Sequence, residues 1–311
     1  MGWALPCLGW LGLSRCTCES EDTVRSRDRE APAPVASLDS GVQAPPLPLR
    51  DAGTTGVVPV RQKRCPSEMV DVAGEFCIDR YEVSLVDRER ARPLSPFYHP
   101  TRERTRSSYR FWSNEAQAPS TFGALAPAPD IPEPPAWQLE EAFRPRARSV
   151  AGVLPNGYLS GVMAQLACEN AGKRLCSEAE WVKACRGEAG WDYPYGESYE
   201  PLVCNVAREN HPAALLHGNA STGHLDPRLN RVADAQGPLL RATGSLPNCA
   251  SRWGDDAIYD MVGNLDEWID DTSGVFVGGF FSRQTEAGCA ARIGAHPFEY
   301  YDYSLGVRCC A

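Results

Sequence analysis

Ala171-Gly172-Lys173-Arg174-Leu175-Cys176-Ser177-Glu178-Ala179-Glu180-Trp181 joins the end of one helix to the start of the next. Upstream, a helix begins near Ser160, with Val162, Leu166 and Ala167 recurring at helical spacing, and Gly172 is its natural stop. Downstream, Ser177 and Glu180 make a capping box, in which each side chain bonds the other's free backbone N–H. Further out, regular signals thin. Met69 to Val83 holds two short, partly alternating runs around Gly74, a hairpin signal. Beyond Arg186, Gly, Pro and Asn dominate between short apolar runs. The expectation is a loop-rich α+β fold held by something other than long helices.

Sulfur is the candidate. The chain has 311 residues, 13 of them Cys. Beyond three in the leader stand Cys65, Cys77, Cys168, Cys176, Cys185, Cys204, Cys249, Cys289, Cys309 and Cys310, an even set that complete pairing requires. No C-x-x-C occurs, which argues against a zinc ribbon and a dithiol redox motif. Structural disulfides in an oxidising compartment are expected. A composition 43% hydrophobic and 23% charged is globular. The formal net charge of −9 argues against nucleic acid, whose backbone wants a basic face. No run approaches ~18 apolar residues, so no transmembrane helix is expected.

Residues 1–18 hold an uncharged, mostly apolar run, Trp3 to Leu13, of signal-core length. No Lys or Arg precedes it, no clean small-x-small site follows, and Arg15 fits poorly ahead of Cys16 in a lipoprotein box. An export signal, cleaved or lipidated, and a disordered leader both remain open. Residues 19–64 read as a linker, too polar and Pro-rich to offset the entropy of ordering. The domain is residues 65–311, interrupted at about 88–148 by Pro-rich patches and Arg clusters. This reads as a long, low-order insertion wrapping the core, anchored by Trp112, Phe122, Trp137 and Phe143.

Four segments then fall in a known order: Ala171 to Trp181; Tyr193-Pro194-Tyr195-Gly196; Tyr259-Asp260-Met261-Val262-Gly263-Asn264-Leu265-Asp266-Glu267-Trp268; and Gly278-Gly279 followed by Leu305-Gly306-Val307-Arg308-Cys309. Together they resemble the formylglycine-generating enzyme (sulfatase-modifying factor) family over about Cys65 to Ala311. The resemblance implies one irregular α+β domain related to C-type lectins. It also implies two disulfides, Cys168 with Cys309 and Cys185 with Cys289. For the remaining cysteines we infer Cys176 with Cys310, Cys204 with Cys249, and Cys65 with Cys77. Adjacent Cys309 and Cys310 point to opposite sides of an extended strand, so each reaches its own partner. Bridges closing loops of over a hundred residues would each stabilise by roughly 4–5 kcal/mol in the chain-entropy account.

Enzymes of the family oxidise a substrate cysteine to formylglycine with oxygen, using copper held by two active-site cysteines. Here the interval after the Gly-Gly pair, Phe280 to Gly288, contains no cysteine. Cys289, opening Cys289-Ala290-Ala291-Arg292, matches a structural position instead. Ser282 is nearest to the first ligand position, and a neutral hydroxyl is a poor Cu(I) donor. Copper is therefore not expected. Calcium is: the resemblance carries over Asp260 and Glu267 by side chain and Gly263 and Leu265 by carbonyl, oxygen donors that suit the ion. Asn205-Val206 matches the start of a second calcium site whose other ligands find no placement after His211.

His211, His217 and His224 share a loop at non-helical spacing and read as solvated, and H-E-x-x-H is absent. Phe280, Phe281, Phe298, Tyr300, Tyr301 and Tyr303 read as core or as lining for a groove. Phe281, Ser282, Arg283 and Arg292 are the cleft candidates. The expectation is an exported, disulfide-stapled, calcium-stabilised domain that binds a peptide or small molecule without catalysis. The alternative is a divergent oxidoreductase of the family using a different metal site.

Overall fold

The computed structural model describes residues 64–116, 128–284 and 287–311. The leader, nearly all of the linker and Phe122 lie outside the described residues. The chain opens with β1 (Met69–Val72), β2 (Phe76–Asp79) and β3 (Val83–Asp87). Helices α1 (Arg102–Glu115) and α2 (Ala136–Glu140) follow, then β4 (Pro145–Ser149). Next come α3 (Gly161–Asn170), β5 (Arg174–Leu175), α4 (Glu178–Arg186) and α5 (Pro212–His217). Short strands complete the described chain: β6 (Ala233–Asp234), β7 (Gly237–Pro238), β8 (Ala250–Trp253), β9 (Asp256–Tyr259) and β10 (Asp266–Trp268). The last four are β11 (Phe276–Val277), β12 (Arg292–Ile293), β13 (Leu305–Val307) and β14 (Cys309–Cys310).

The hairpin of β1 and β2 closes through Ala73 and Gly74, both left-handed at φ 55° and 73°. Asp71 Oδ1 accepts from Gly74 N–H at 2.8 Å, which pins the turn. These strands join β14 and β5 in a sheet ordered β1-β2-β14-β5. In β14, Cys309 bonds Cys168 of α3 while Cys310 bonds Cys176. Alternation along the strand sends the two sulfurs to opposite faces. Cys310 belongs to a cluster with Val70, Ile78 and Trp181, and Cys309 to another with Leu159, Ala164 and Trp268. The pair thus ties the sheet to both cores at once. Cys185–Cys289, Cys204–Cys249 and Cys65–Cys77 complete five disulfides, the chemistry of an oxidising environment. Among the described residues no helix is long and apolar enough to cross a membrane.

Helix α3 starts where its sequence signals place it, with Ser160 accepting from Met163 N–H, but its buried face differs from the expected one. Val162 and Leu166 are 45% and 39% exposed, whereas Ala164, Ala167 and Cys168 are fully buried. Two constraints turn the helix. Cys168 must face Cys309, and Gly161 lies so close to Phe298 that a Cβ would stand 2.1 Å from its ring. Small residues therefore form the inner stripe. Helix α4 carries the full capping box of Ser177 and Glu180, with Arg174 paired to the same carboxylate.

The insertion is more ordered than its composition suggests. It contains α1, whose one buried residue is Thr105, so apolar periodicity could not reveal it. Polar contacts anchor it instead. Thr105 Oγ1 donates to His99 O (3.1 Å), Gln138 Nε2 to Thr105 Oγ1 (3.3 Å), and Ser95 N–H to Gln138 Oε1 (2.9 Å). Trp137 packs edge-on against Phe143 with the Arg92 guanidinium 4.0 Å over its ring. Trp112 meets His217 of α5. β4 then returns antiparallel along β3, so that the insertion is a long excursion between two paired strands.

Candidate functional site

The turn between β9 and β10 is built on backbone that few residues accept. Asp260 and Asn264 are left-handed at φ 59° and 60°. Gly263 has φ +87°, and a Cβ there would lie 2.2 Å from the Asn205 carbonyl oxygen. The close approach lets Asn264 satisfy its whole amide. Its Nδ2 donates to Glu82 Oε2 and Arg241 O, and its Oδ1 accepts from Asn205 Nδ2 and Arg241 N–H. Glu82 also accepts from Leu265 N–H at 3.0 Å.

Strand β10, between β11 and β13, then delivers Glu267 into the interior. Arg308 Nε donates to both its oxygens (3.0 and 2.8 Å), Arg308 Nη2 to Oε1 (2.8 Å), and Trp181 Nε1 to Oε2 (2.6 Å). Arg308, fully buried, spends its remaining donors on Asp79 O and Tyr259 O. Burial works against its charge, but the Glu267 carboxylate holds its pKa above the ordinary value. Asp79 pairs in turn with Lys173 at 2.6 Å. Burial pushes Asp260 up to about 6. It also pushes Glu82 far above the usual carboxylate range, helped by the charges of Asp260 and Glu267.

As folded, the two carboxylates among the expected calcium ligands are drawn into hydrogen bonds. Both oxygens of Glu267 are occupied by Arg308 and Trp181, and Asp260 Oδ2 accepts from Gly244 N–H at 2.7 Å. Among the described residues, no three or more His, Cys, Asp or Glu side chains are grouped to hold a metal ion. The guanidinium of Arg308 pairs with Glu267 at 2.8 Å and neutralises it.

The segment after the Gly278-Gly279 pair makes the second constellation. Gly278, at φ +88°, brings it close to Met261 O and the Trp181 ring. Phe280 and Phe281 then pack with Tyr303, Leu265 and Tyr158. Phe281 is fully buried, so it is core and lines no cleft. Arg292 lies apart on β12, paired at the surface with Glu178 (3.1 Å). Of the four cleft candidates only Ser282 and Arg283 stay together, half-buried beside Phe280. Arg283 Nη2 reaches Asp266 Oδ2 at 2.6 Å. Burial raises Asp266 to about 6 although Arg283 opposes the shift.

Sequence reasoning missed the histidine that joins them. His211 is not simply solvated. Its Nδ1 accepts from Ala213 N–H, capping α5, which leaves Nε2 to carry the proton toward Tyr303 Oη at 2.9 Å. Burial and the neighbouring His224 lower its pKa, and burial raises that of Tyr303. His217 Nε2 lies 3.1 Å from buried Asp226, and His224 Nε2 2.8 Å from Ala220 O. The Pro after His211 was the available signal, since Pro at the first helical position marks the residue before it as a cap.

Chemically, the constellation lacks an activated nucleophile. Ser282 Oγ donates to the Asn210 carbonyl (2.7 Å) and not to a histidine, so no base withdraws its proton. Nor is there a thiol: every cysteine among the described residues is in a disulfide.

No curated protein sequence matches the chain. Among solved structures, CarF aligns at 13% identity over 76% of this chain and 85% of its own, with TM-score 0.35. PvdO from Pseudomonas aeruginosa aligns at 14% identity over 76% of this chain and 79% of its own, with TM-score 0.34. The sulfatase-modifying factor enzyme 1-like domain model matches residues 49–310, most of the chain. The ordered motifs, the disulfide-braced α+β architecture and this match lead to one statement: the chain belongs to the formylglycine-generating enzyme (sulfatase-modifying factor) family.

Proposed function

We propose that the domain is a recognition module built on the family's fold, exported to an oxidising compartment, and not a copper-dependent oxidase. The observation that carries the reading is the fate of sulfur. All ten cysteines of the domain serve as cross-links, and Ser282 stands nearest to a copper-binding thiol. Two thiolates are what a Cu(I) site of this type needs. What remains beside Phe280 is a pair of half-buried polar groups, Arg283 fixed by Asp266 and the Ser282 hydroxyl bonded to the Asn210 carbonyl, while buried Tyr303 pairs with His211. Such groups orient a peptide or small molecule without supplying a nucleophile.

The test is Cu(I) competition on the unreduced full-length chain with Cys7, Cys16 and Cys18 replaced by Ser. The expected result is that bicinchoninate keeps its copper and a cysteine-containing peptide incubated with copper and oxygen stays unmodified. Stoichiometric copper capture with thiolate-to-metal absorption, or aldehyde formation on the peptide, would overturn the reading.

A further inference from the structure

Helix α1 and the loops beneath it enclose a half-open cavity of about 600 Å³, within the range that small-molecule sites occupy. Its apolar lining includes Phe111, Trp112, Tyr158, Leu225 and Tyr301. Two of these are left facing water at the mouth, Phe111 at 54% and Leu225 at 42% exposure. Large apolar side chains exposed together around one concavity mark a surface that a ligand covers.

The charge at this cavity is specific. Arg104 lies 4.7 Å over the Tyr301 ring and has no acidic partner among the described residues. Arg104 is exposed and borders the aromatic lining, which leaves its guanidinium open to an anion entering the cavity. The other charged group on the wall, Glu103, is already paired with Arg102 at 2.9 Å. Burial and Arg104 lower the pKa of His99 to about 3, so this histidine stays neutral and leaves Arg104 as the cationic side chain lining the cavity. Ser107 and Ser108 add hydroxyls on the same wall.

We propose that this cavity binds a small planar aromatic carboxylate, its ring against Trp112 and Phe111 and its anionic group on Arg104, which Tyr301 holds in place. Planar rings stack on aromatic walls, and guanidinium forms paired bonds to a carboxylate. The site deepens the recognition-module reading by naming a ligand class, and it lies on the insertion, away from the segment after Gly279.

The experiment is calorimetric titration of the full-length chain with 2-naphthoate and with its neutral isostere 2-naphthamide. The wild type is expected to bind the carboxylate more tightly. Arg104→Gln should weaken 2-naphthoate by about tenfold while leaving 2-naphthamide within about twofold, as expected when one charge-assisted contact is lost. Phe111→Ser, at an exposed position that folding tolerates, should weaken both probes. Arg106→Gln, on the wall of a different groove of α1, should change neither. Absence of binding by the wild type, equal affinity for the two probes, or indifference to Arg104→Gln would overturn the proposal. None of these results bears on copper capture, so failure here and failure of the module reading are separable.

Discussion

Arg308→Met is the most demanding perturbation of this fold. Its guanidinium is fully buried, makes three contacts with Glu267, and satisfies the carbonyls of Asp79 and Tyr259. Removing it leaves Glu267 with the Trp181 indole as its hydrogen-bond donor, in an interior that also holds Glu82 and Asp260. Breaking a buried ion pair on one side costs about 3–5 kcal/mol. Each carbonyl left without a donor adds about 1–3 kcal/mol. The total of roughly 5–11 kcal/mol is comparable to the whole stability of an ordinary domain, so the single variant is expected to fold poorly. The informative measurement is therefore a double-mutant cycle with Glu267→Gln, read by urea unfolding at pH 7.5 with disulfides intact. We expect Glu267→Gln to recover about 3 kcal/mol of the loss when added to Arg308→Met. A cost below about 1 kcal/mol for Arg308→Met would refute the reasoning, as would additivity of the two changes. Calcium gives an independent check. If Arg308 neutralises Glu267, moving wild type from millimolar calcium to excess chelator leaves its midpoint unchanged; a clear drop would mean that a cation shares that carboxylate.

Three further expectations follow from the same geometry. Because Asp260 titrates near 6 when folded and 3.8 when unfolded, the native state binds the extra proton between those values, and its contribution rises as pH falls. Between pH 7 and pH 5 wild type should therefore gain about 1 kcal/mol on Asp260→Asn; comparing the two cancels the opposite pull of His99, and a gain by the variant would reverse the sign and reject the assignment. Gly274→Ala should be severely destabilising, since Gly274 has φ +93° and a Cβ would fall 1.8 Å from the His296 carbonyl oxygen; thermal melting within a degree or two of wild type would contradict that placement. Replacing Cys65 and Cys77 by Ser should lower the midpoint less than replacing Cys168 and Cys309, because the bridges span 12 and 141 residues; the reverse order would argue that native packing outweighs loop entropy.

What could be read from the chain alone sorts by the range of the interaction. The Ser177–Glu180 box and the Gly74 turn are local: each residue's role depends on neighbours within a few positions, and the folded chain carries both. The even count of cysteines was legible as complete pairing, while the partners Cys168–Cys309 and Cys185–Cys289 came from the family resemblance; divergence of neighbours on one strand only allowed Cys309 and Cys310 separate partners. The misreadings are all long-range. Of the stripe Val162, Leu166 and Ala167 only Ala167 is buried, because a disulfide to β14 and the contact of Gly161 with Phe298 rotate the inner face away from the other two. Helix α1 has almost no apolar face, and hydrogen bonds of Thr105 and Gln138 anchor the insertion that carries it. Glu267 was recognisable as a buried oxygen donor, yet its partner lies 41 residues away in a segment noticed for its cysteine. A carboxylate, a cation-binding turn and an arginine-paired turn look alike until the third dimension supplies the counter-charge. That ambiguity explains why the fold was legible while the chemistry was not: the family's turns and bridges record backbone geometry, whereas the site is defined by which distant side chain arrives to neutralise what those turns present.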